Sequence, residues 1–265
     1  MDSSPLDRER ILRRLKARCF GKSLLKIDEC GSTNDVLKER AENGAPHGFV
    51  VDAENQSAGR GRMGRVWQSP RGGVWLSILI RPQHSPELLS SLPLVGALGV
   101  AKALVENFGV PARVRWPNDV VVDRCKIAGV LIESRSKGNE LVYAIIGLGI
   151  NANFDTSQIE PISRTSTSLQ MLVGRGVDRE TLISAVLSET ERLYECLYAP
   201  SFDLSALLRK FDCSRGRHVK VATATREFVG IVDDYEGLDR VRITTPKGLE
   251  SIENDALLSV DYQSD

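Results

Sequence analysis

The stretch Arg113-Val-Arg-Trp-Pro-Asn-Asp-Val-Val-Val-Asp-Arg-Cys-Lys-Ile-Ala-Gly-Val-Leu-Ile132 alternates short apolar runs with turn residues. Trp116-Pro117 favours an extended backbone, and Asn118-Asp119 is a natural turn pair. Asp123-Arg124 separates a run of valines from a longer strand that begins at Ile127. Strands joined by such short turns pair with their neighbours, so the stretch predicts part of a mixed β-sheet and not a repeating strand-helix-strand series.

The flanking sequence adds strands and helices to this sheet. Further strands are predicted at Leu24–Cys30, Phe49–Val51, Val74–Ile80 and Leu141–Ile150. Helices are predicted at Ser4–Arg18, Ser32–Gly44, Pro86–Phe108, Asp178–Leu197 and Asp203–Phe211. In the second helix, Ser32 and Asp35 have the spacing of a capping box. The fold class is therefore α/β or α+β, with a mixed sheet flanked by helices.

From Arg217 onward the pattern changes to short alternating segments separated by turns. They are Val219–Ala222, Phe228–Val232, Val241–Ile243 and Leu257–Val260. This pattern is typical of a small all-β barrel. We therefore expect an N-terminal helix in residues 1–23, a main domain over 24–213 and a small β-barrel over 214–265.

Composition excludes several classes of protein. The chain has 35 basic and 35 acidic side chains, so it has no overall charge bias toward nucleic acid or anionic membranes. Hydrophobic residues make up 42% of the chain, which excludes a disordered or fibrous protein. No apolar run approaches the roughly 20 residues that span a bilayer, and the N-terminus lacks an apolar signal core. We expect a cytoplasmic protein without a membrane segment.

Cysteines and histidines do not indicate a metal or redox site. The five cysteines are odd in number and scattered, with no Cys-x-x-Cys pair, so they are interpreted as reduced packing residues. The three histidines are equally scattered, which argues against a histidine metal centre or a Ser-His-Asp triad. No metal site made of protein ligands is expected.

The segment Gln56-Ser-Ala-Gly-Arg-Gly-Arg-Met-Gly-Arg-Val-Trp67 is the strongest functional signal. Its glycines let the backbone approach a ligand, while Arg60, Arg62 and Arg65 offer forked donors for carboxylates and phosphates. No Gly-Lys-Ser/Thr follows, so it is not a Walker loop. The alternatives are a solvated basic turn or an arginine-glycine segment that binds RNA.

Two further motifs lie on predicted strands. Lys126-Ile-Ala-Gly129 begins seven residues after Asp119, and its ordinary interpretation is a hairpin with a surface lysine. Gly147-Leu-Gly-Ile-Asn151 ends an apolar strand, where small residues leave room for a ligand and an amide follows. Its ordinary interpretation is a strand end with a turn.

Together with Gly31-Ser-Thr-Asn34, these motifs, in this order, resemble the biotin protein ligase family. The resemblance runs from about Leu24 to the end of the chain. It implies a class II synthetase-like catalytic domain over 24–213 and an SH3-like barrel over 214–265. It also implies two reactions: biotin and ATP give biotinyl-5'-AMP and pyrophosphate, and the biotinyl group then passes to one lysine of a biotin carboxyl carrier protein.

The resemblance also implies roles for individual residues. Catalysis is assigned to Lys126, Arg62 and Asp119. Biotin binding is assigned to Ser32, Thr33, Asn34, Gln56, Gly59, Arg60, Gly61, Arg62, Lys126, Gly129, Leu131, Gly147 and Gly149. ATP and phosphate binding is assigned to Arg60, Arg62, Arg65, Trp67, Asn118, Lys126 and Asn151. Arg115, which stands where a lysine often precedes Trp-Pro-Asn-Asp, is a further candidate. Mg²⁺ is expected with ATP, held mostly by phosphates and water.

Two other functions remain open at this stage. A lipoate or octanoate ligase has a related catalytic domain, although the Gln56–Trp67 segment and the terminal barrel favour biotin. A biotin-responsive repressor needs several helices ahead of the catalytic domain to reach DNA. The neutral charge and the short segment before Leu24 argue against it, so no specific DNA binding is expected. A homodimer is expected, because the predicted sheet has an edge that a second copy can extend.

Overall fold

The structure, a computed structural model, describes residues 6–81, 86–138, 140–199 and 203–262. The α-helices are α1 (Arg8–Arg14), α2 (Thr33–Glu42), α3 (Leu92–Phe108), α4 (Leu169–Val173), α5 (Arg179–Cys196) and α6 (Leu204–Phe211). The strands are β1 (Leu24–Cys30), β2 (Val50–Gln56), β3 (Val74–Ile80), β4 (Arg113–Arg115), β5 (Asp119–Val122), β6 (Cys125–Lys137), β7 (Glu140–Ile150), β8 (His218–Thr223), β9 (Glu227–Glu236), β10 (Arg240–Thr245), β11 (Gly248–Glu253) and β12 (Leu257–Tyr262).

Seven strands form one mixed sheet in the order β1-β2-β3-β7-β6-β5-β4. β1 and β2 are parallel because α2 carries the chain back between them, and the other neighbouring strands are antiparallel. Asp123 and Arg124 adopt positive φ angles of 46° and 71°, which reverses the chain between β5 and β6. The predicted mixed sheet flanked by helices is confirmed.

Helices cover both faces of this sheet. α3 packs against β6 and β7 on one face and carries α5 on its outer side, while α2 packs on the other face. Two glycines of α3 permit this close packing. A Cβ at Gly96 would lie 2.9 Å from Val130 Cγ1 of β6, and one at Gly99 would lie 2.4 Å from Thr190 Oγ1 of α5. Gly96 thus lets α3 approach the sheet, and Gly99 lets it approach α5.

The segment Leu89–Phe108 is long and apolar enough to cross a membrane, by length and composition only. This corrects the expectation that no apolar run reaches that length. In the structure 67% of its most apolar window is buried inside the protein. Val95 and Leu98 are completely buried. The segment is a core helix because its apolar surface faces the sheet and α5.

The first helix is shorter than the sequence predicts. It starts after Asp7, whose carboxylate accepts two backbone hydrogen bonds, and it ends at Arg14 and not near Arg18. Ser4 and the proline after it, the predicted start, lie outside the described residues. The carboxylate of Glu191 on α5 accepts the backbone N–H groups of residues 18, 19 and 20. These bonds to α5 replace the helical bonds that the sequence pattern indicated.

The C-terminal strands form a second, antiparallel sheet in the order β11-β10-β9-β8-β12. Among the described strand pairings, β11 and β12 stay at opposite edges. The sequence did not predict β11, because Gly248–Glu253 has only two apolar residues. Trp116 Nε1 donates to Asn254 Oδ1 at 2.7 Å, and the Tyr262 hydroxyl donates to the Trp116 carbonyl at 2.7 Å. These bonds bring β12 beside the first sheet. The domain boundary expected at residue 214 stays a prediction.

Candidate active site

A cavity of about 350 Å³, here called the main cavity, opens beside the N-terminus of α2. The loop after β2, the strands β5 to β7, and β12 form its other walls. All of the sequence-predicted site residues except Gly59 and Asn151 line it. They are Ser32, Thr33, Asn34, Gln56, Arg60, Gly61, Arg62, Arg65, Trp67, Arg115, Asn118, Asp119, Lys126, Gly129, Leu131, Gly147 and Gly149.

Glycines on β6 and β7 make room for this cavity. Gly129 and Gly149 pair across the two strands, and Gly147 lies on the same face as Gly149. A Cβ at Gly149 would lie 2.5 Å from Trp67 Nε1, and one at Gly147 would lie 2.6 Å from Asn34 Oδ1. The absence of these Cβ atoms therefore lets an indole and an amide lie directly on the sheet.

Gly59 supports the loop and does not line the cavity. A Cβ there would lie 2.5 Å from the Trp67 carbonyl oxygen and 2.6 Å from Ser69 Oγ. The Trp67 N–H donates to the Gly59 carbonyl at 2.9 Å. Glycine is needed here because two backbone segments meet, and this contact fixes where Trp67 enters the site.

Five polar side chains form a hydrogen-bonded row, here called the polar row: Ser69, Gln56, Thr33, Ser77 and Asn34. Three of them, Gln56, Thr33 and Asn34, line the floor of the main cavity. Gln56 Oε1 accepts from the Thr33 backbone N–H at 2.8 Å, and Gln56 Nε2 donates to Ser69 Oγ at 2.9 Å. Ser77 Oγ lies 2.7 Å from Thr33 Oγ1 and 2.5 Å from Asn34 Oδ1. The floor is thus polar, although the surrounding sheet is apolar.

Arg60 is held by carboxylates at the cavity mouth. Its two terminal nitrogens donate to Asp35 at 2.7 and 2.6 Å, and these bonds lower the pKa of Asp35 below its usual range. Lys38 Nζ also donates to Asp35, at 3.2 Å. The predicted capping box of Ser32 and Asp35 is wrong, because Ser32 makes no side-chain cap bond and Asp35 binds these cations instead.

Arg62 connects the glycine-arginine loop to two other walls of the cavity. Its Nη2 donates to the Leu257 carbonyl of β12 at 2.7 Å, and its Nη1 lies 3.5 Å from Asn118 Oδ1. Burial lowers the pKa of Arg62 below its usual range. Asn118 is itself fixed by a bond of 2.8 Å from its Nδ2 to the Val130 carbonyl. The guanidinium therefore lies in a partly desolvated position over the cavity.

Lys126, Asp119 and Arg115 form a charged cluster where β5 meets β6. Lys126 Nζ lies 2.5 Å from Asp119 Oδ1, and Arg115 Nη2 lies 2.9 Å from Asp119 Oδ2. Lys126 Nζ is also 5.0 Å from the centre of the Trp67 ring, within range of a cation–π contact. Two cations thus share one carboxylate, which leaves the cluster with an excess of positive charge toward the cavity.

A second cavity, of about 410 Å³, lies on another side of Trp67 and also contacts Lys126. It is lined by four basic residues and by no acidic residue: Arg115, Arg124, Lys126 and Arg164. Asn151, absent from the main cavity, lines this one, and its Nδ2 donates to the Thr167 carbonyl at 3.0 Å. Trp67 Nε1 is buried and has no hydrogen-bond partner within the described part of the chain. The site therefore has two compartments that meet at Trp67 and Lys126.

The sequence analysis missed several contributors to this site. Ser77 belongs to the polar row, and its signal is a polar residue inside the apolar strand Val74–Ile80. Glu133 binds Asn34 and Lys38 from behind the cavity, with no distinguishing signal in the sequence. Residues 258–262 of β12 line the cavity although they are distant from every motif. No group of three or more His, Cys, Asp or Glu side chains suited to a metal occurs within the described ranges.

Comparisons with known proteins identify the family of this chain. The model of the biotin/lipoate A/B protein ligase family matches residues 28–151. The bifunctional ligase/repressor BirA of Bacillus subtilis is 31% identical over 243 residues, which cover 90% of this chain and 74% of BirA. The biotin–[acetyl-CoA-carboxylase] ligase of Paracoccus denitrificans is 32% identical over 216 residues, 78% of this chain and 87% of that protein.

A solved structure extends the likeness to three dimensions. Biotin protein ligase from Aquifex aeolicus, in complex with biotin and ATP, matches with a TM-score of 0.80 and 30% sequence identity. The match covers 91% of this chain and 100% of that one. Sequence motifs and fold thus agree with the comparisons, and the chain belongs to the biotin/lipoate A/B protein ligase family.

Proposed function

We propose that the protein is an ATP-dependent ligase that activates biotin as biotinyl-5'-AMP and transfers it to a lysine of a biotin carboxyl carrier protein. One observation carries the proposal: hydrogen-bonding side chains and a cluster of cations line the same cavity, and two of these cations, Arg115 and Lys126, also line the second cavity. The main cavity suits a small acid with a polar head, and the second cavity suits a nucleotide. Lys126 lines both cavities, so it lies where the acid and the nucleotide would meet.

The first step joins two anions. A biotin carboxylate oxygen attacks the α-phosphorus of ATP, a P–O bond forms, and pyrophosphate leaves with the electron pair of the broken bond. Two unit charges about 4 Å apart repel by roughly 4 kcal/mol at an effective dielectric constant of 20. Lys126 and Arg62 offset this repulsion and stabilise the additional charge of the transition state. No general base is needed, because the carboxylate is already a nucleophile.

The second step forms an amide. The carrier lysine amine attacks the biotinyl carbonyl carbon, AMP leaves, and the amine loses its proton. Asp119 is the proposed acceptor of this proton or the group that orients the amine, since it is the carboxylate that lines the cavity beside Lys126. Its bonds to Lys126 and Arg115 keep it oriented toward the site of reaction.

The polar row favours biotin over lipoate or octanoate. A ureido ring has two N–H donors and one carbonyl acceptor that can satisfy buried polar groups, whereas a dithiolane ring or an alkyl chain leaves them unpaired. A site built to hydrogen-bond its substrate rejects analogues that lack those groups by about 10⁴-fold or more. Gln56, Thr33 and Asn34 are therefore the proposed determinants of acid selectivity.

We propose that the nucleotide occupies the second cavity, against Trp67 and Asn151, with its phosphates toward Lys126 and Arg62. The indole ring of Trp67 and the four basic residues that line that cavity support this assignment. Mg²⁺ would enter with ATP, held by phosphate oxygens and water. A homodimer that extends an edge of the first sheet and a cytoplasmic location complete the proposal. Light scattering with and without biotin and ATP tests the dimer, and a monomeric mass under both conditions would reject it.

Mass spectrometry after incubation with biotin and ATP tests the function itself. We expect a bound species with the mass of biotinyl-5'-AMP, and a biotinylated lysine after a carrier domain is added. The same incubation with lipoic acid or octanoic acid is the matched comparison. Stronger adenylate formation from either of these acids would replace biotin in the proposal, and no adenylate from any of them would reject an acid-activating ligase.

A further inference from the structure

We propose that Glu133, which lies behind the main cavity, is a positioning residue that sets the direction of hydrogen bonding along the polar row. In that direction the row offers acceptors to the N–H groups of a ureido ring. The inference rests on the proposed function, because it concerns how that site selects its acid. Glu133 lies on β6, two residues beyond Leu131, and it does not line the cavity.

Glu133 fixes the amide of Asn34. Its Oε2 accepts from Asn34 Nδ2 at 2.6 Å, and its Oε1 accepts from Lys38 Nζ at 2.7 Å. Burial raises the pKa of Glu133, but the bonds from Lys38 and Asn34 outweigh burial and lower that pKa below its usual value. An ionised carboxylate has no proton to donate. Asn34 must therefore turn its NH₂ group toward Glu133 and its Oδ1 toward Ser77.

Backbone groups fix the other end of the row. The Thr33 backbone N–H donates to Gln56, so the oxygen of the Gln56 amide faces Thr33 and its NH₂ group faces Ser69. Ser69 Oγ in turn donates to the Trp67 carbonyl at 3.2 Å. A backbone N–H and a carbonyl cannot exchange roles. The hydrogen bonds along the row can therefore run in only one direction. The backbone determines that direction at one end, and Glu133 determines it at the other.

This arrangement decides what a ligand meets. One N–H of Asn34 and one of Gln56 donate within the protein. Asn34 Oδ1 and Gln56 Oε1 each accept a bond within the row, from Ser77 and Thr33, and each keeps a second lone pair on a residue that lines the cavity. Lone pairs on these oxygens are acceptors for ligand N–H groups. If the Asn34 amide turned over, its N–H would face a ligand N–H and both donors would lose a partner. Glu133 prevents this reversal from a position outside the cavity lining.

An exchange of donor and acceptor between positions 34 and 133 tests the proposal. Asn34→Asp alone places two carboxylates against each other, and Glu133→Gln alone lets either amide reverse. Calorimetry should show biotin binding weakened about 10- to 100-fold in each, the scale for one unpaired buried polar group. In the double variant Asn34→Asp/Glu133→Gln, the new amide can donate to the new carboxylate, and an oxygen again faces Ser77. We expect the double variant to bind biotin at least tenfold more tightly than Asn34→Asp.

A matched control separates positioning from general damage. Glu42→Gln makes the same change in a carboxylate at the end of α2, which accepts from the Tyr143 hydroxyl at 2.9 Å and pairs with Arg135. It should leave biotin affinity unchanged. ATP affinity should stay near wild type in all four variants, since the exchange alters only the acid pocket. A double variant no tighter than Asn34→Asp, or equal losses of biotin and ATP affinity, would overturn the inference. Failure of the wild-type protein to bind biotin would instead reject the proposed function.

Discussion

Lys126 Nζ lies 2.5 Å from one oxygen of Asp119, and Arg115 Nη2 lies 2.9 Å from the other oxygen. The arrangement follows from the hairpin, in which Asp119 is on β5 and Lys126 is near the start of β6. Asp119 therefore holds the ammonium group at the junction of the two cavities. Because one carboxylate serves two cations, positive charge remains for the carboxylate and phosphate that are proposed to meet there.

Lys126→Ala should abolish most adenylate formation and leave the fold intact. The lysine side chain is partly exposed and contributes charge, not core packing. Loss of one preorganised group at a developing charge typically costs about 10²- to 10³-fold in rate. Pyrophosphate release measures the step, and the circular dichroism melting curve measures the fold. A folded variant that releases pyrophosphate at nearly the normal rate would contradict the assigned role.

Arg62→Ala should make the protein lose biotinyl-5'-AMP faster to solution. Arg62 joins the glycine-arginine loop to the β12 backbone through a bond of 2.7 Å to Leu257. Without this bond the loop would open more often and expose the anhydride to water. Release of preformed adenylate, followed in a chase with unlabelled biotin, should accelerate about tenfold or more, since one charged hydrogen bond contributes about 1.5 to 3 kcal/mol.

Arg65→Ala is the matched control for this loop. Arg65 is 69% exposed and lies 4.0 Å from Asp261, so its ion pair contributes little to loop closure. It should change adenylate release less than Arg62→Ala does. Equal leakage from the two variants would show that the loop responds to the loss of any arginine, and the specific contact of Arg62 with β12 would lose its proposed role.

Gly147→Ala should weaken biotin binding without a comparable loss of ATP binding. Its methyl group would lie 2.6 Å from Asn34 Oδ1, so the amide would have to move from the cavity floor. Gly31→Ala is the control, since a Cβ at Gly31 meets no atom within 4 Å. We expect at least a tenfold loss of biotin affinity in the first variant and almost none in the second, by calorimetry. Similar affinities for both would contradict the placement of Asn34 over Gly147.

The sequence alone predicted the main sheet and most of the cavity. Val74–Ile80, Leu24–Cys30 and Lys126-Ile-Ala-Gly129 carry strong local signals, because apolar runs and turn residues determine strands over a few positions. The motifs assembled around one cavity because β6 and β7 are adjacent and the α2 N-terminus lies over them. The chemical roles of those residues remain predictions.

What the sequence did not reveal depends on contacts between distant segments. Glu133 is an ordinary strand residue until folding brings it to Asn34, 99 positions away. The early end of α1 results from Glu191, which binds the backbone more than 170 positions earlier. Asp35 had the spacing of a helix cap, but Arg60 from a separate loop binds its carboxylate more strongly. In the last two cases a charged side chain from elsewhere in the chain overrides local propensity.

The last prediction concerns Asp52, a completely buried carboxyl group at the centre of β2. Neither of its oxygens has a hydrogen-bond partner among the described residues. The neighbouring cations are engaged elsewhere, since Arg179 lies 2.8 Å and Lys26 lies 3.3 Å from oxygens of Glu54. Burial, together with the charge of Glu54, raises the pKa of Asp52 well above its usual value. The folded protein therefore retains a proton at Asp52 in a pH range where the unfolded chain has lost it.

A folded-state pKa above the unfolded value, about 3.9 for Asp, means that unfolding releases a proton. The contribution of Asp52 to stability is thus fully present below pH 4 and declines as the pH rises toward the folded-state pKa. Asp52→Asn removes this dependence, because its amide does not titrate. We expect the melting temperature of the variant, relative to that of wild type, to increase as the pH rises above 4 and to level off once the pH passes the folded-state pKa of Asp52. The unpaired amide of the variant adds a penalty that does not change with pH. Each tenfold difference in proton affinity between the folded and the unfolded protein changes the free energy of unfolding by about 1.4 kcal/mol. Parallel stability curves for the two proteins would show that Asp52 is ionised in the folded state.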